Sequence, residues 1–251
     1  MMSLRGKRAL VTGGSRGIGA ATAVMLAELG ANVGIGYRTR TDDAAEVVRR
    51  MAGFGVSAFA LAADLTDPAG GDALVERAVR EFGGVDIFVG NAGIWPVEDI
   101  AVADMSEDRW RRTMAENVDA MFYSTRSAVR AIGPGGRIVL VSSTAGQRGE
   151  AMHADYGASK GAMISFVKSL AVELAPRDIT VNAVAPGWVD TEMAAPAFGD
   201  GAKERIAKSI PVGRIATPRD IAAPIAFLCS EGARHITGEI LNVNGGSVLC
   251  G

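Results

Sequence analysis

In Tyr156-Gly157-Ala158-Ser159-Lys160 a phenol and an ammonium stand at positions i and i+4. On a helix that spacing makes them neighbours on one face. A tyrosine with its ordinary pKa of ~10 is a poor acid at neutral pH. A cation held close favours the phenolate and lowers that pKa toward the range where proton transfer is useful. The same spacing would also suit a purely structural pair, so the surrounding chemistry has to decide.

A second feature handles charge of the opposite sign. The turn Thr12-Gly13-Gly14-Ser15-Arg16-Gly17-Ile18-Gly19 follows a short apolar run and opens a helix-like segment. Glycines permit a tight turn and let the backbone approach a pyrophosphate, whose charge is favoured at a helix N-terminus. The spacing is G-x-x-x-G-x-G and not the G-x-G-x-x-G of other dinucleotide sites. A plain turn would show such a cluster too; its place between strand and helix favours the ligand reading. Dinucleotide sites that prefer NAD place an acid at the end of the second strand. Here that strand ends Gly36-Tyr37-Arg38, and no acid occurs before Asp42. Arg38 and Arg16 can instead clasp a 2′-phosphate in guanidinium geometry, or stand as solvated surface residues. The expected cofactor is therefore NADP(H) ahead of NAD(H).

These groups need a frame. Apolar runs at 8–11, 32–37, 57–63, 85–89, 137–141, 180–184 and 239–243 read as seven strands. They are separated by helix-like segments at 18–29, 42–53, from Pro68 onward, 106–132, 155–174 and 221–229. Each strand is a continuous apolar run, which fits strands covered on both faces. The expectation is an α/β fold: one doubly wound Rossmann domain over residues 1–251, with a seven-stranded, mostly parallel sheet and helices on both faces. The stretch 187–211 is the least regular and is expected to be a substrate lid.

Composition narrows the function classes. The formal net charge of −2 gives no basic surplus for nucleic acid or an anionic membrane. The residues before the first strand are too few and too polar for a signal peptide, and no apolar run is long enough to span a bilayer. Two cysteines, Cys229 and Cys250, with two histidines, His153 and His235, point to neither a disulfide framework nor a metal site. A cytoplasmic protein without nucleic-acid or membrane partners is expected.

Several further motifs fall in order along the chain: Asp64-Leu65 after the third strand, Asn91-Ala92-Gly93 after the fourth, Asn117 within a long helix, and Ser142-Ser143 after the fifth strand. Pro186-Gly187 follows the sixth, and Ile236-Thr237-Gly238-Glu239 and Asn244-Gly245-Gly246 lie near the C-terminus. With the glycine turn, Tyr156 and Lys160, the chain resembles the short-chain dehydrogenase/reductase family over essentially its whole length. Its length and C-terminal motif are most similar to the 3-oxoacyl-(acyl carrier protein) reductase branch.

The resemblance implies roles. Tyr156 is the general acid in reduction and the base in oxidation, with Ser143 bonding the substrate oxygen. Lys160 lowers the tyrosine pKa and bonds the nicotinamide ribose. Asn117 bends its helix and holds a water that links Lys160 to solvent. The glycine turn, with Gly13, Ser15, Gly17, Ile18 and Gly19, lies at the diphosphate, Arg16 and Arg38 at the 2′-phosphate, Asp64 bonds the adenine amine and Asn91 lines the adenosine ribose, with Tyr37, Leu65, Ala92 and Gly93 as further cofactor contacts. Pro186, Gly187, Val189 and Thr191 fix the nicotinamide. Taken alone, Asp64 reads equally as a turn cap, Asn91 and Gly93 as a turn, Asn117 as a solvated helix residue and Thr191 as an N-cap. The family's habit also implies a homotetramer or homodimer, formed through the tyrosine-bearing helix and the helix at 221–229.

Substrate residues follow from where ligands bind in open α/β sheets, outside the carboxyl ends of the strands. That nominates Trp95, Gln147, Arg148, Glu150, Met152, His153, Trp188 and Met193. A ketone or secondary alcohol of middle size suits this mixture. It is either linked to an acyl carrier, with Arg148 meeting the acidic carrier, or is a small polyol, sugar or other alcohol. A sensor that binds NADP(H) without turnover is the alternative of a different class, although both Tyr156 and Lys160 are kept.

Overall fold

The computed structural model describes residues 2–249; Met1, Cys250 and Gly251, and with them the expectation about Cys250, lie outside the described residues. Seven strands, β1 (Arg8–Thr12), β2 (Asn32–Tyr37), β3 (Ala58–Ala62), β4 (Val85–Gly90), β5 (Ile132–Val141), β6 (Thr180–Pro186) and β7 (Ile240–Val243), form one sheet in the order β3-β2-β1-β4-β5-β6-β7. Every pairing is parallel. The chain runs outward from β1 to β3, then returns to β4 on the other side of β1, so the order reverses between β1 and β4. A crevice opens at that switch point, beyond the carboxyl ends of the strands.

The continuous apolar strands are explained by two cores. On one face Ala9, Val11, Val33, Ile35, Val89 and Val139 pack with α1 (Gly17–Glu28), α2 (Thr41–Ala52) and α9 (Pro218–Leu228). On the other, Leu10, Phe88, Ile138, Leu140 and Val181 pack with α3 (Pro68–Phe82), α5 (Ala120–Ala131) and α7 (Ala154–Leu174). Successive residues such as Leu10 and Val11 thus enter opposite cores and both are fully buried. Each such side chain contributes about 1.5–3 kcal/mol of burial.

Local chemistry sets the helix ends. Asp67 caps α3 through Ala69 N–H, with Pro68 in the first turn and Gly83 in the left-handed region at the end. Thr217 and Asp220 form a reciprocal capping box at the start of α9, with Pro218 in its first turn.

The structure departs from expectation in four places. The segment expected as one helix over 106–132 is α4 (Glu107–Met114), a π-helical turn (Ala115–Asp119) and α5, and it stops at Ala131. β5 begins at Ile132, where a register irregularity lets the Gly133-Pro134-Gly135 stretch join the strand. A short helix, α6 (Thr144–Arg148), follows β5. The stretch 187–211 is not uniformly irregular, because it contains a 3-10 turn (Ala195–Phe198) and α8 (Ala202–Ser209).

Candidate active site

A cavity of about 540 Å³ occupies the crevice. It runs from the glycine turn, past the ends of β2, β3 and β4, to Tyr156 and Lys160. Pro186, Gly187, Trp188, Val189 and Thr191, beyond β6, form its other wall. Its size is that of a small-molecule site.

The glycine turn is held by β4. Thr12 Oγ1 accepts the N–H groups of Asn91 (2.9 Å) and Ala92 (3.0 Å). Asn91 Nδ2 donates to the Thr12 (3.0 Å) and Gly13 (3.2 Å) carbonyls. Asn91 therefore staples the turn as well as lining the cavity. Gly19 does not line the cavity; a Cβ there would overlap the Gly13 carbonyl, so its smallness lets α1 start against the turn. The helix opens with no side-chain cap and no acid in its first turn. Its N–H groups and dipole are left to serve an anion, the chemistry a diphosphate needs.

The catalytic end is built around a helix defect. The π turn carries Asn117, which is fully buried. Its Oδ1 accepts Ile94 N–H at 2.7 Å, and its Nδ2 donates to the Ile94 carbonyl (3.0 Å) and Ser159 Oγ (2.9 Å). Ser159 in turn donates to the Tyr156 carbonyl at 2.8 Å. Such π turns recur at functional sites because they re-aim a side chain within a continuous helix. The first turn of α7 is pinned from the opposite side. Asp155, fully buried, accepts from Thr113 Oγ1 (2.7 Å) and Arg109 Nε (3.1 Å) of α4. Burial works against its charge, yet these bonds hold its carboxyl below the usual range.

Lys160 is buried and donates from Nζ to the Val141 carbonyl at 2.9 Å, while Ser142 Oγ donates to the Lys160 carbonyl at 2.9 Å. Nζ lies 5.8 Å from the Tyr156 ring centroid. Burial pushes the lysine pKa down to about 8. Tyr156 corrects the sequence expectation. Burial pushes its phenol up to about 12, a hydrogen bond with Ser143 opposes the rise, and the Glu150 charge adds to it. The lysine is engaged by a backbone carbonyl and does not offset the desolvation of the phenol. Ser143 also caps α6, accepting Ala145 N–H at 3.1 Å.

Of the expected substrate residues, Trp95, Arg148, Glu150, Trp188 and Met193 line the cavity. His153 does not. It is buried behind Trp95, with stacked ring centroids 5.0 Å apart. Gln147 turns away, donating to Asn242 Oδ1 of β7 at 2.6 Å, and Met152 is an exposed residue at φ +66°. Glu150 accepts from Trp95 Nε1 at 3.3 Å, and burial holds its carboxyl above the usual range. Trp188 packs edge-on to Trp95 at 5.9 Å and against Phe198 at 5.7 Å.

At the other end, Tyr37, Leu65, Ala92 and Gly93 line the cavity as expected. Asp64 does so too, but its Oδ1 is also a turn cap, accepting Thr66 N–H (3.0 Å) and Thr66 Oγ1 (2.8 Å). Arg38 pairs with Glu116 at 3.0 Å and Arg16 with Glu192 at 2.7 Å. The sequence reading missed Glu116, Glu192 and Arg40, as well as Thr12, Ser159 and the Arg109–Asp155 clamp. Only Arg40, so close to Arg38, and Glu192, next to Thr191, carried a local hint.

An open parallel sheet, a crevice at its switch point, and Tyr156 and Lys160 at one end of that crevice, with Ser143 bonded to the tyrosine, define a Rossmann-type oxidoreductase. A family profile described as enoyl-(acyl carrier protein) reductase matches residues 13–247. The 3-oxoacyl-[acyl-carrier-protein] reductase FabG of Vibrio cholerae is 42% identical over 250 residues, 99% of this chain and 100% of the relative. The protein of the same name from Escherichia coli K12 is 40% identical over the same spans. A short-chain dehydrogenase from Burkholderia cenocepacia, crystallised with NADP, superposes with a TM-score of 0.91 at 41% identity, covering 97% of this chain and 98% of that one. A blue fluorescent protein from a metagenomic library, crystallised with NADPH, superposes with a TM-score of 0.91 at 38% identity over 98% and 100% of the two chains. The chain belongs to the short-chain dehydrogenase/reductase family.

Proposed function

We propose that this protein is an NADP(H)-dependent enzyme that interconverts a ketone and a secondary alcohol, with Tyr156 exchanging the proton. The observation that carries this reading is the phenol of Tyr156, bonded to Ser143 and beside Lys160, at the end of a crevice whose other end is an uncapped helix N-terminus. When bound, the nicotinamide supplies or accepts the hydride.

The protein's own groups handle the oxygen and the proton. Ser143 Oγ donates a hydrogen bond to the substrate oxygen as negative charge develops there. Tyr156 Oη gives that oxygen its proton in reduction and takes it back in oxidation. A phenol pushed up to about 12 carries its proton at neutral pH but holds it more tightly than a free tyrosine, so proton transfer depends on the charge that develops on the substrate oxygen and on Ser143, whose bond opposes the rise. Lys160, buried with its Nζ on the Val141 carbonyl, would hold the nicotinamide ribose. At the far end, the α1 N-terminus meets the diphosphate and the arginines at the rim meet the 2′-phosphate. NADP and NADPH in the crystals of the two structural relatives support the cofactor choice.

Two substrate readings have support. Relatedness to the Vibrio cholerae and Escherichia coli reductases favours a 3-oxoacyl group on an acyl carrier protein. Glu150 favours a hydroxylated ketone or polyol, because a half-buried carboxylate in the pocket is best satisfied by a substrate hydroxyl. A homo-oligomer is also part of the proposal: Val172 is an exposed apolar residue on α7, the tyrosine-bearing helix that the family resemblance implies at a subunit contact.

The test is NADPH oxidation, followed spectroscopically, with a 3-oxoacyl thioester, a hydroxyketone and a plain ketone. Turnover of any of them supports the reading, and the ratio of kcat/KM values chooses between the two substrate classes. Tight NADPH binding with no turnover on a broad carbonyl panel would make the chain a sensor instead.

A further inference from the structure

At the rim of the crevice one carboxylate oxygen serves two arginines. Glu192 Oε2 accepts from Arg16 Nη1 at 2.7 Å and from Arg40 Nη2 at 3.2 Å. Arg16 belongs to the glycine turn, Arg40 precedes α2, and Glu192 lies beyond β6, beside Thr191. The contact therefore bridges the crevice from wall to wall, and all three residues line it. Arg38, the third arginine there, is held separately by Glu116 at 3.0 Å. Asp43, at 3.8 Å from Arg40, is the only other acid paired with Arg16 or Arg40 among the described residues.

We propose that Glu192 is a built-in competitor for the arginines that recognise a 2′-phosphate, and that it sets how strongly the chain prefers the phosphorylated cofactor. The inference rests on the NADP(H) reading above. A carboxylate and a phosphate compete for the same guanidinium geometry, and the phosphate brings more charge and a third oxygen. Glu192, Arg16 and Arg40 have 58%, 46% and 52% of their side chains exposed. Exposed pairs of this kind are weak, so the carboxylate yields to a phosphate but subtracts from its affinity. An unphosphorylated dinucleotide leaves the pair intact and is indifferent to it. Glu192 thus narrows the preference that the three arginines alone would give. Displacing it also frees the segment next to Thr191, which ties cofactor choice to the wall that faces the substrate.

Glu192→Gln keeps the size and the acceptor oxygen and removes the charge. Calorimetric titration at neutral pH and low ionic strength should show 2′-AMP and NADPH binding about three- to tenfold tighter to the variant, with NADH and 5′-AMP changing by less than about twofold. Added salt should shrink the difference, because the groups are exposed. Weaker NADPH binding, or equal changes for NADPH and NADH, would overturn the proposal and make Glu192 a bracket that positions the arginines. A wild-type protein that favours NADPH, with no effect of Glu192→Gln, removes the competitor alone. A wild-type protein that ignores 2′-AMP and favours NADH removes both the cofactor reading and the competitor.

Discussion

At the catalytic end of the crevice, Asn117, Ser159 and Lys160 are buried and each is bonded to a backbone carbonyl, with Asn117 and Ser159 also bonded to each other. At the rim, Arg16, Arg38 and Arg40 are about half exposed and are paired with carboxylates. The first arrangement is expensive to disturb, since a buried polar group left without its partner costs about 1–3 kcal/mol. The second is cheap to exchange, at about 0.2–1 kcal/mol per exposed pair. One end is fixed in geometry and the other is open to substitution by a ligand. A site that must hold reacting atoms still while admitting and releasing a charged cofactor needs both.

The sharpest way to break this contrast is Tyr156→Phe. It should lower kcat by more than about 10³-fold while leaving NADPH affinity within about twofold, read by steady-state rates and by fluorescence titration. Substantial residual turnover would take Tyr156 out of the proton path.

Lys160 tests the buried end through pH. Its pKa is about 8 in the fold and 10.5 in the unfolded chain, so the unfolded state binds more protons between those values. The stability contributed at this position must therefore rise as pH increases from about 8 to 10.5. Against Lys160→Met, which cannot titrate, the wild type should gain up to about 3 kcal/mol of unfolding free energy across that window. Urea titrations at each pH measure the difference; the contribution of Cys229 cancels because both proteins share it, and Tyr156→Phe in both backgrounds removes that of the neighbouring phenol. Parallel profiles would show that Lys160 is not desolvated as the structure has it.

The rim should respond more mildly. Arg38→Ala is expected to weaken NADPH binding about tenfold and NADH binding hardly at all, as judged by titration of both cofactors. An equal loss for the two would mean that Arg38 positions the adenosine without reading the phosphate.

The same division decides what the sequence reveals. The strands inside the sheet are visible because burial on both faces leaves continuous apolar runs, and Tyr156–Lys160 is visible because helical spacing is local. The direction of the tyrosine pKa is not, since it depends on burial and on the Val141 carbonyl that engages the lysine. Glu192 and Arg16 are 176 residues apart and Arg109 and Asp155 are 46 apart, so no spacing rule joins either pair. The break at Ala115–Asp119 leaves the apolar periodicity of 106–132 intact, so only the resemblance, through Asn117, implied a local bend there. Gln147 and His153 pass for pocket residues by position in the chain, and only the fold shows one turned to β7 and the other shielded by Trp95.

The π turn also bears on how this scaffold is built. Because the bulge takes up one residue more than a regular turn, α4 and α5 lie out of phase along what would otherwise be a single rod. The clamp on Asp155 and the core face of α5 are therefore set independently, each with its own angular origin. The extra residue lets one nearly straight rod turn Asn117 toward α7 while its second half keeps a core face against α3.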